Sequence, residues 1–365
     1  MTQRFYSLFT IVVMAAVMVV VDYVPMAAAD EWEQVLAAAK KEGTISLIGP
    51  PGTDRRDSLT LGFQKKYGIK VDYHADAGAG IFPKLSAERK AGQYLWDVVV
   101  TGTTTQLQSL VPGKVLEPLE PNLILPEVKD GKNWRGGALE FVDPGRQAMV
   151  MTPFHIGSVI INKSLATPME IRTYKDLLNP KWSGKIVSDD PEKAGPGQAL
   201  FTFFYLHPGL GPDFIRALAR CNITFVKNYA QQADMVGQGR FSIGIAFSDA
   251  TVEERIKKGV PLLILDPRKI KEGTHVSPAS GGLSVFSRAP HPNATKIYVN
   301  WLLSKEGQTN YIRAAGYVSA RLDTPTDHAE PWRVPSPTAI KTYTQEALDV
   351  KEKVIAVFKE AFGKY

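Results

Sequence analysis

The chain has 365 residues, 44% of them hydrophobic and 22% charged, which is typical of a globular protein long enough to form two domains. Its formal net charge of +6 comes from basic residues that are scattered along the chain, and no basic run alternates with aromatic residues. This distribution argues against a nucleic-acid partner. A modest excess of positive charge instead favours a small anionic solute, because it raises the local concentration of anions.

The first 29 residues have the pattern of a secretory signal. Arg4 precedes an apolar run from Phe9 to Val21, and three consecutive alanines precede Asp30. An uncleaved membrane anchor is the alternative, but the apolar run is shorter than the roughly 20 residues that a spanning helix needs. We therefore expect residues 1–29 to be removed during export, so that the mature protein begins at Asp30.

Helix and strand patterns alternate from residue 30 to residue 100. Trp32, Val35, Leu36 and Ala39 repeat at helical spacing, and two further helices are expected over 59–67 and 82–91. The predicted strands are 44–48, 69–73 and 97–100. A strand order of β-α-β-α-β is typical of a doubly wound lobe with parallel strands.

The pattern changes between residues 141 and 162, where the polar link 152–157 separates two strand-like runs. A second α/β set follows from 174 to about 265, and the glycine-rich run 277–286 is expected to return the chain to the first lobe. The predicted fold class is therefore α/β, with two doubly wound lobes joined by a hinge of two crossings. Residues 30–153 and 280–365 are assigned to lobe 1, and residues 154–279 to lobe 2.

Two stretches of the chain can be interpreted locally. In Asp176–Ile186, Asn179-Pro180 stops a helix because the residue before a proline avoids the helical region, and Gly184 frees the backbone to start a strand. In Tyr298–Gln308, the apolar residues share one helical face, and Gly307 is expected to end that helix.

Together, the two stretches resemble signatures of the type II periplasmic solute-binding proteins of ABC importers, in the extracellular solute-binding family 1 branch that includes the ferric-ion-binding proteins. The resemblance implies a periplasmic protein that closes its two lobes over a solute and delivers it to a permease in the inner membrane. It also implies a binding protein rather than an enzyme, and we expect a monomer without a cofactor. The sequence has no Gly-x-Ser-x-Gly elbow and no His-Glu-x-x-His motif.

The loop after the first predicted strand is a candidate anion site. Gly49–Asp54 begins like a phosphate-binding P-loop, but Arg55 and Arg56 follow where that motif needs Gly-Lys-Ser/Thr, so nucleotide hydrolysis is not expected. We expect Gly52 and Thr53 to offer backbone N–H groups and a hydroxyl to an anion, with Arg55 as a further donor. In the alternative interpretation, Asp54 only caps its helix and both arginines are solvated.

Two more predicted helix starts are expected to contribute to the cleft. The stretch Thr101–Thr105 follows the third predicted strand, and one of its hydroxyls is expected to cap the next helix, while Thr103 and Thr104 are the candidate ligand residues. Gly197 and Gln198 open a helix of the second lobe. Two opposed helix N-termini with free N–H groups would bind a carboxylate, phosphonate or phosphate group.

The last candidate ligand residues are His155, in the first crossing, and Ser248 and Asp249, after a predicted strand that ends at Phe247. In the resemblance, iron-binding relatives carry adjacent tyrosines near Asp249, whereas this chain contains no Tyr-Tyr pair. We expect the three residues to select the remainder of an anionic solute, with no metal bound. In the alternative interpretation, His155 is a structural residue and Asp249 caps the helix that follows it.

Two other functions remain open for the same residues. One is ferric-ion transport, with Asp249 and His155 as metal ligands beside a carboxylate or carbonate co-ligand. The other is a secreted enzyme that uses Asp249 and His155 as base and acid. Turnover of the bound molecule would distinguish the enzyme, because a transport protein releases its solute unchanged.

Overall fold

The computed structural model describes residues 26–363, apart from Ala77, Ala79 and Ala194. Most of the predicted signal segment, residues 1–29, lies outside the described residues, so cleavage before Asp30 stays a prediction. Among the residues that are described, no helix is long and apolar enough to cross a membrane.

The helices and strands alternate through most of the chain. The helices are α1 (Met26–Glu42), α2 (Thr53–Tyr67), α3 (Ile81–Lys90), α4 (Thr103–Thr105), α5 (Pro126–Lys129), α6 (Pro196–Leu206), α7 (Gly211–Leu218), α8 (Tyr229–Gly237), α9 (Asp249–Lys257), α10 (Pro292–Leu303), α11 (Lys305–Ala315), α12 (Gln345–Asp349) and α13 (Lys351–Phe362). The strands are β1 (Thr44–Gly49), β2 (Lys70–Ala75), β3 (Val98–Thr101), β4 (Leu116–Glu117), β5 (Met149–Val150), β6 (Phe154–His155), β7 (Val159–Asn162), β8 (Ile186–Asp189), β9 (Thr224–Val226), β10 (Ile243–Ile245), β11 (Leu262–Ile264), β12 (Val276–Ser277) and β13 (Gly282–Phe286).

Lobe 1 is built on a sheet with the strand order β2-β1-β3-β13-β4, in which β5 also pairs with β13. Strands β1, β2 and β3 are parallel, as the sequence predicts, and β13 is antiparallel to β3. Phe63 of α2 and Trp301 of α10 are buried on one face of the sheet, and Ile81 and Leu85 of α3 on the other. Because parallel strands end at one edge, the loops after β1 and β3 lie on the same side of the lobe.

Lobe 2 has a five-stranded sheet with the order β11-β7-β10-β8-β9. Strand β8 is parallel to β9 and β10, whereas β7 runs antiparallel to β10 and β11. Helices α6, α7 and α13 cover one face, and α8 and α9 cover the other. The loops after β8 and β10 therefore lie at the same edge of this sheet. Together, the two sheets and the helices that cover them confirm the predicted two-lobed α/β fold.

The hinge is a short antiparallel ribbon in which His155 of β6 faces Val276 of β12. A third segment runs beside this ribbon, because the Val276 N–H donates to the carbonyl of Ile340 at 2.8 Å and the Thr342 N–H donates to the carbonyl of Val276 at 3.3 Å. Both predicted crossings are present, and the C-terminal part of the chain adds a third strand of hinge backbone.

The last helix differs from its predicted assignment. The sequence places 280–365 in lobe 1, but Val354 and Phe358 of α13 are buried beside Phe201 in the core of lobe 2. Helices α10 and α11 do pack on lobe 1, against α1 and α2. Helical spacing shows that α13 has an apolar face, but it does not show which lobe that face covers. The other domain boundaries stay a prediction.

The turn predicted around Asn179-Pro180 is present. The Asn179 side chain accepts a hydrogen bond from the Lys181 N–H at 3.1 Å, and Pro180 opens a single 3₁₀ turn. Gly184 has a φ of +69°, a conformation that favours glycine, immediately before β8. The chain preceding this turn is 3₁₀ rather than α-helical, over Tyr174–Leu178.

The prediction that Gly307 ends a helix is wrong. Helix α10 already ends at Leu303, and the hydroxyl of Ser304 accepts the Gly307 N–H at 3.3 Å to open α11. A Cβ on Gly307 would lie 2.1 Å from the carbonyl oxygen of Trp301. Glycine is therefore needed at position 307 because two backbone segments approach each other closely there. In the sequence alone, such a glycine cannot be told apart from one that ends a helix.

Candidate functional site

The candidate site lies where the strand ends of both lobes meet the hinge. In lobe 1, a Cβ on Gly102, after β3, would lie 3.3 Å from the carbonyl oxygen of Ala279 in the second crossing. In lobe 2, the Gly157 N–H of the first crossing donates to the Asp249 carboxylate after β10 at 3.2 Å. Each crossing therefore contacts a strand-end loop, the second crossing on lobe 1 and the first crossing on lobe 2. The region between these two loops is called the cleft here.

Two alanines near these loops have unusual backbone angles. Ala246, after β10, and Ala279 have φ values of 53° and 46°. A non-glycine residue in this region costs free energy and persists only where the surrounding structure holds it. Strain of this kind accumulates at binding sites, and both alanines adjoin the cleft loops just described.

The lobe 1 side of the cleft contains the loop before α2. Gly52 and Thr53 are exposed, and Gly52 has a φ of 114° and makes no side-chain cap. The N–H groups in the first turn of α2 are therefore free of a capping side chain, and anion binding by Gly52 and Thr53 stays a prediction. Asp54 does not cap this helix, whose N-cap residue is Gly52.

Arg55 of α2 adds an unpaired cation next to the hinge. Its guanidinium lies 5.7 Å from the ring centroid of Tyr317, and the Tyr317 ring stacks on Phe154 of β6 with 4.7 Å between centroids. On Phe154, a second guanidinium, that of Arg333, lies 5.5 Å from the ring centroid. Within the described residues, the Arg55 side chain forms no hydrogen bond or ion pair, so its charge remains available to a ligand.

Thr103 and Thr104 differ in accessibility. Thr103 is 2% exposed, whereas Thr104 is partly exposed. The N-cap of α4 is Gly102 and has no side-chain cap, so neither threonine hydroxyl caps that turn. Of these two residues, Thr104 is therefore the one with an exposed surface through which it could contact a solute.

The N-terminus of α6 is already occupied by a carboxylate of the protein. Asp189, at the end of β8, accepts the Gly197 N–H at 2.9 Å and lies 2.9 Å from the ammonium of Lys193. Burial raises the pKa of Asp189, and the Lys193 contact opposes that shift. The expected free donor at Gly197 is thus satisfied internally, while the Nε2 atom of Gln198 is buried without a hydrogen-bond partner.

Asp249 is held by an arginine from the C-terminal segment. Arg333 Nη1 donates to Asp249 Oδ2 at 2.8 Å, and its other terminal nitrogen donates to Glu253, one turn later on α9. Burial raises the pKa of Asp249 to about 6, although Arg333 acts to lower it. Asp249 Oδ1 is buried without a partner, so neither oxygen is presented to the cleft. The adjacent Ser248 is partly exposed, and its hydroxyl accepts a hydrogen bond from Thr251.

His155 lines a recess of its own beside the hinge. Its Nε2 accepts the Ser336 N–H at 3.2 Å, and burial lowers its pKa. The ring lines a recess of about 400 Å³ together with Phe203, His207 and Trp332, and none of the other predicted ligand residues lines it. Among the described residues, no hydrogen bond joins His155 to Asp249, and the two belong to no group of three or more side chains that could hold a metal ion.

Three residues near the candidate site were not predicted from the sequence. Asp189 had a usable signal, because it is a carboxylate at the end of a predicted strand shortly before Gly197. Tyr317 and Arg333 had none, since each follows the last predicted crossing and reaches the hinge only through the packing of the C-terminal segment. In the part of the chain that is described, no group of three or more His, Cys, Asp or Glu residues could hold a metal ion.

A pH dependence follows from His275, which lies in the hinge and is 2% exposed. Burial lowers its pKa from 6.5 to about 3, and nearby His155 adds to the shift. Between those pH values only the unfolded chain takes up the proton, so stability falls as the pH drops from 7 to 5, by about 2 kcal/mol at most. Urea unfolding across this range should show a shallower pH slope for His275→Phe than for wild type. An unchanged slope, or an equal change in the control His74→Gln, would contradict this assignment.

The chain belongs to the bacterial extracellular solute-binding protein family, which it matches over residues 62–339. An uncharacterized protein of Haemophilus influenzae is 26% identical over 258 residues, which cover 69% of this chain and 70% of that relative. Proteins of this family bind a small-molecule solute and work with an ABC permease, outside the cytoplasmic membrane.

Solved structures share the fold at low sequence identity. Ferric iron-binding protein A of Mannheimia haemolytica, in an open conformation, is 17% identical with a TM-score of 0.70, covering 88% of this chain and 100% of that one. The protein AfuA of Actinobacillus pleuropneumoniae, with fructose-6-phosphate bound, is 21% identical with a TM-score of 0.62, covering 88% and 99%. A Trichodesmium protein in complex with iron and citrate is 19% identical with a TM-score of 0.66, covering 88% and 100%. These similarities establish the two-lobed binding-protein fold.

Proposed function

We propose that the protein is the periplasmic solute-binding component of an ABC importer and that its solute is a small organic anion. The observation that carries this proposal is the charge balance of the cleft. Arg55 forms no ion pair within the described residues, whereas each lobe 2 carboxylate at a strand end lies near a cation. These pairs are Asp189 with Lys193, Asp190 with Lys227, and Asp249 with Arg333.

The anion would bind first to lobe 1. There, the exposed first turn of α2 combines free N–H groups at Gly52 and Thr53 with the guanidinium of Arg55. Hydrogen bonds between ionised groups are about twice as strong as neutral ones, and a guanidinium can bind a carboxylate or phosphate with two parallel hydrogen bonds. Thr104, Gln198 and Ser248, which are all partly exposed, would contact the remainder of the solute.

Ferric iron fits this cleft poorly. Fe(III) requires several hard anionic donors, yet Asp249 is already bound by Arg333 and by Gly157. His155 lines a different recess, and the described residues contain no cluster of metal-binding side chains. The chain therefore shares its fold with solved structures of iron-binding proteins, but its described residues offer no such set of donors.

Binding without turnover is the activity that we propose. The permease in the inner membrane would receive the solute unchanged, and the protein would act as a monomer without a nucleic-acid partner. In support of this, the chain has the fold of solute-binding proteins, and within the described residues no hydrogen bond joins Asp249 to His155 as an acid–base pair. Release of an unaltered molecule from the purified protein would distinguish a carrier from an enzyme.

A thermal-shift screen of the mature protein tests the anionic solute directly. The panel contains citrate, fructose 6-phosphate, small dicarboxylates, phosphonates and inorganic phosphate, with neutral sugars and Fe(III) with and without citrate as comparisons. A ligand at 100 times its dissociation constant adds about 2.7 kcal/mol of stability, which moves the melting temperature by several degrees. We expect at least one organic anion to do so, and a chelator to leave that shift unchanged. Stabilisation by Fe(III) alone, or only by neutral sugars, would refute the proposal.

A further inference from the structure

The C-terminal strap, defined as residues Pro331–Tyr343, is fastened to the hinge along its length. Its Ile340 and Thr342 pair with Val276 of β12, and its Ser336 N–H donates to His155 of β6. Beyond these contacts, Lys341 and Tyr343 both reach Glu140 of lobe 1. The strap therefore runs from lobe 1 to the point where lobe 2 begins.

Arg333 connects this strap to lobe 2. It is only 4% exposed in its side chain, and its guanidinium contacts Asp249 and Glu253 on α9 and lies over the rings of Phe154 and Trp332. Asp249 simultaneously accepts the Gly157 N–H of the first crossing. One buried charge cluster thus joins the strap, the first crossing and the start of α9.

We propose that Arg333 is a latch that makes the strap move with lobe 2 and thereby limits how far the lobes open. Detaching the strap from α9 would leave Asp249 buried without its cation, which is unfavourable. The other end of the strap is held on lobe 1 by Tyr343, which is buried there and donates to Glu140, and by the partly exposed ion pair between Lys341 and Glu140. With Arg333 in place, the strap is therefore attached to both lobes.

Two readouts on the ligand-free protein test this latch. In Arg333→Met, we expect hydrogen exchange to rise about tenfold in peptides that contain Gly157 and in those that contain Thr342. The reason is that Arg333 no longer holds Asp249, which accepts the Gly157 N–H, and no longer fixes the strap, which carries Thr342. Small-angle scattering should also give a larger radius of gyration than wild type. The matched control is Arg313→Met, which removes an exposed ion pair with Asp327 whose side chains are 47% and 67% exposed. The control should leave both readouts unchanged.

Glu253→Gln is the second variant, because Glu253 is 37% exposed and its loss leaves the Arg333–Asp249 pair in place. It should show the same changes as Arg333→Met in a smaller degree, and it decides the question if Arg333→Met does not fold. Faster exchange that is confined to residues 331–336, with wild-type exchange at Gly157 and an unchanged radius of gyration, would show that Arg333 only anchors its own turn. That result would overturn the latch.

Discussion

Substituting Arg55→Gln is expected to weaken binding of the organic anion found in the screen by about 100-fold. The reason is that Arg55 is the cation on the lobe 1 side of the cleft that has no partner among the described residues, while Gln keeps hydrogen-bonding capacity and removes the charge. Loss of one partner from a desolvated charge pair costs roughly 2–5 kcal/mol, and 2.7 kcal/mol corresponds to about 100-fold in affinity. Isothermal titration of citrate and of fructose 6-phosphate into both proteins would measure the difference.

The neighbouring arginine provides the control. Arg56 is 51% exposed and already pairs with Asp57, so Arg56→Gln removes the same charge from the same helical turn without removing a cleft contact. The Arg56→Gln substitution should change the affinity for the anion by less than about threefold, because exposed ion pairs contribute little free energy. Equal losses in the two variants would mean that only the overall charge matters, and no loss in Arg55→Gln would place the anion elsewhere.

Replacing Gly307 by alanine should have the largest effect on stability. The added Cβ would lie 2.1 Å from the Trp301 carbonyl oxygen and 2.7 Å from the Cα of Leu302, and these are backbone atoms that a side-chain rotation cannot move. Helices α10 and α11 would have to separate, which disrupts the lobe 1 core around Trp301 and Tyr311. We expect a loss of about 3 kcal/mol or more in the free energy of unfolding, measured by urea titration.

Gly316→Ala separates backbone strain from this clash. Gly316 follows the same helix, has a φ of +71°, and has no atom within 4 Å of the position that a Cβ would take. Its substitution should cost about 1–2 kcal/mol, the penalty of the left-handed conformation alone. If Gly307→Ala costs no more than Gly316→Ala, the two helices are less rigidly packed at their corner than the structure indicates.

The local geometry of a candidate site residue was predictable where it depends on that residue's own segment. Gly52 and Thr53 follow a strand and begin a helix, so their free N–H groups could be inferred from local pattern alone. Gly197 satisfied the same pattern, yet its N–H is taken by Asp189, because the end of β8 and the start of α6 are brought together by the fold of the loop between them. A sequence pattern identifies a donor, but it does not show whether the protein supplies its own acceptor.

Asp249 illustrates the same limit over a longer separation. Its position after a strand marks it as a cleft residue, and only the folded chain brings Arg333, 84 residues later, within 2.8 Å of it. The carboxylate of Asp249 was expected to be available to a metal ion or solute, but in the folded chain its negative charge is paired with the guanidinium of Arg333. Arg55 is affected in the opposite sense, because the fold provides an aromatic surface from Tyr317 but no counter-ion from the described residues.

Periodicity, turn residues and the order of elements were sufficient to predict two α/β lobes, most of their strands and both crossings, because each of these depends on interactions between residues close in sequence. Strands β4 and β11 were not predicted. The lobe covered by α13, the close approach at Gly307 and the charge balance of the cleft depended on tertiary packing. The physical reason is that an apolar face, a glycine or a charge specifies what it requires from a neighbour, whereas the folded chain determines which neighbour it meets.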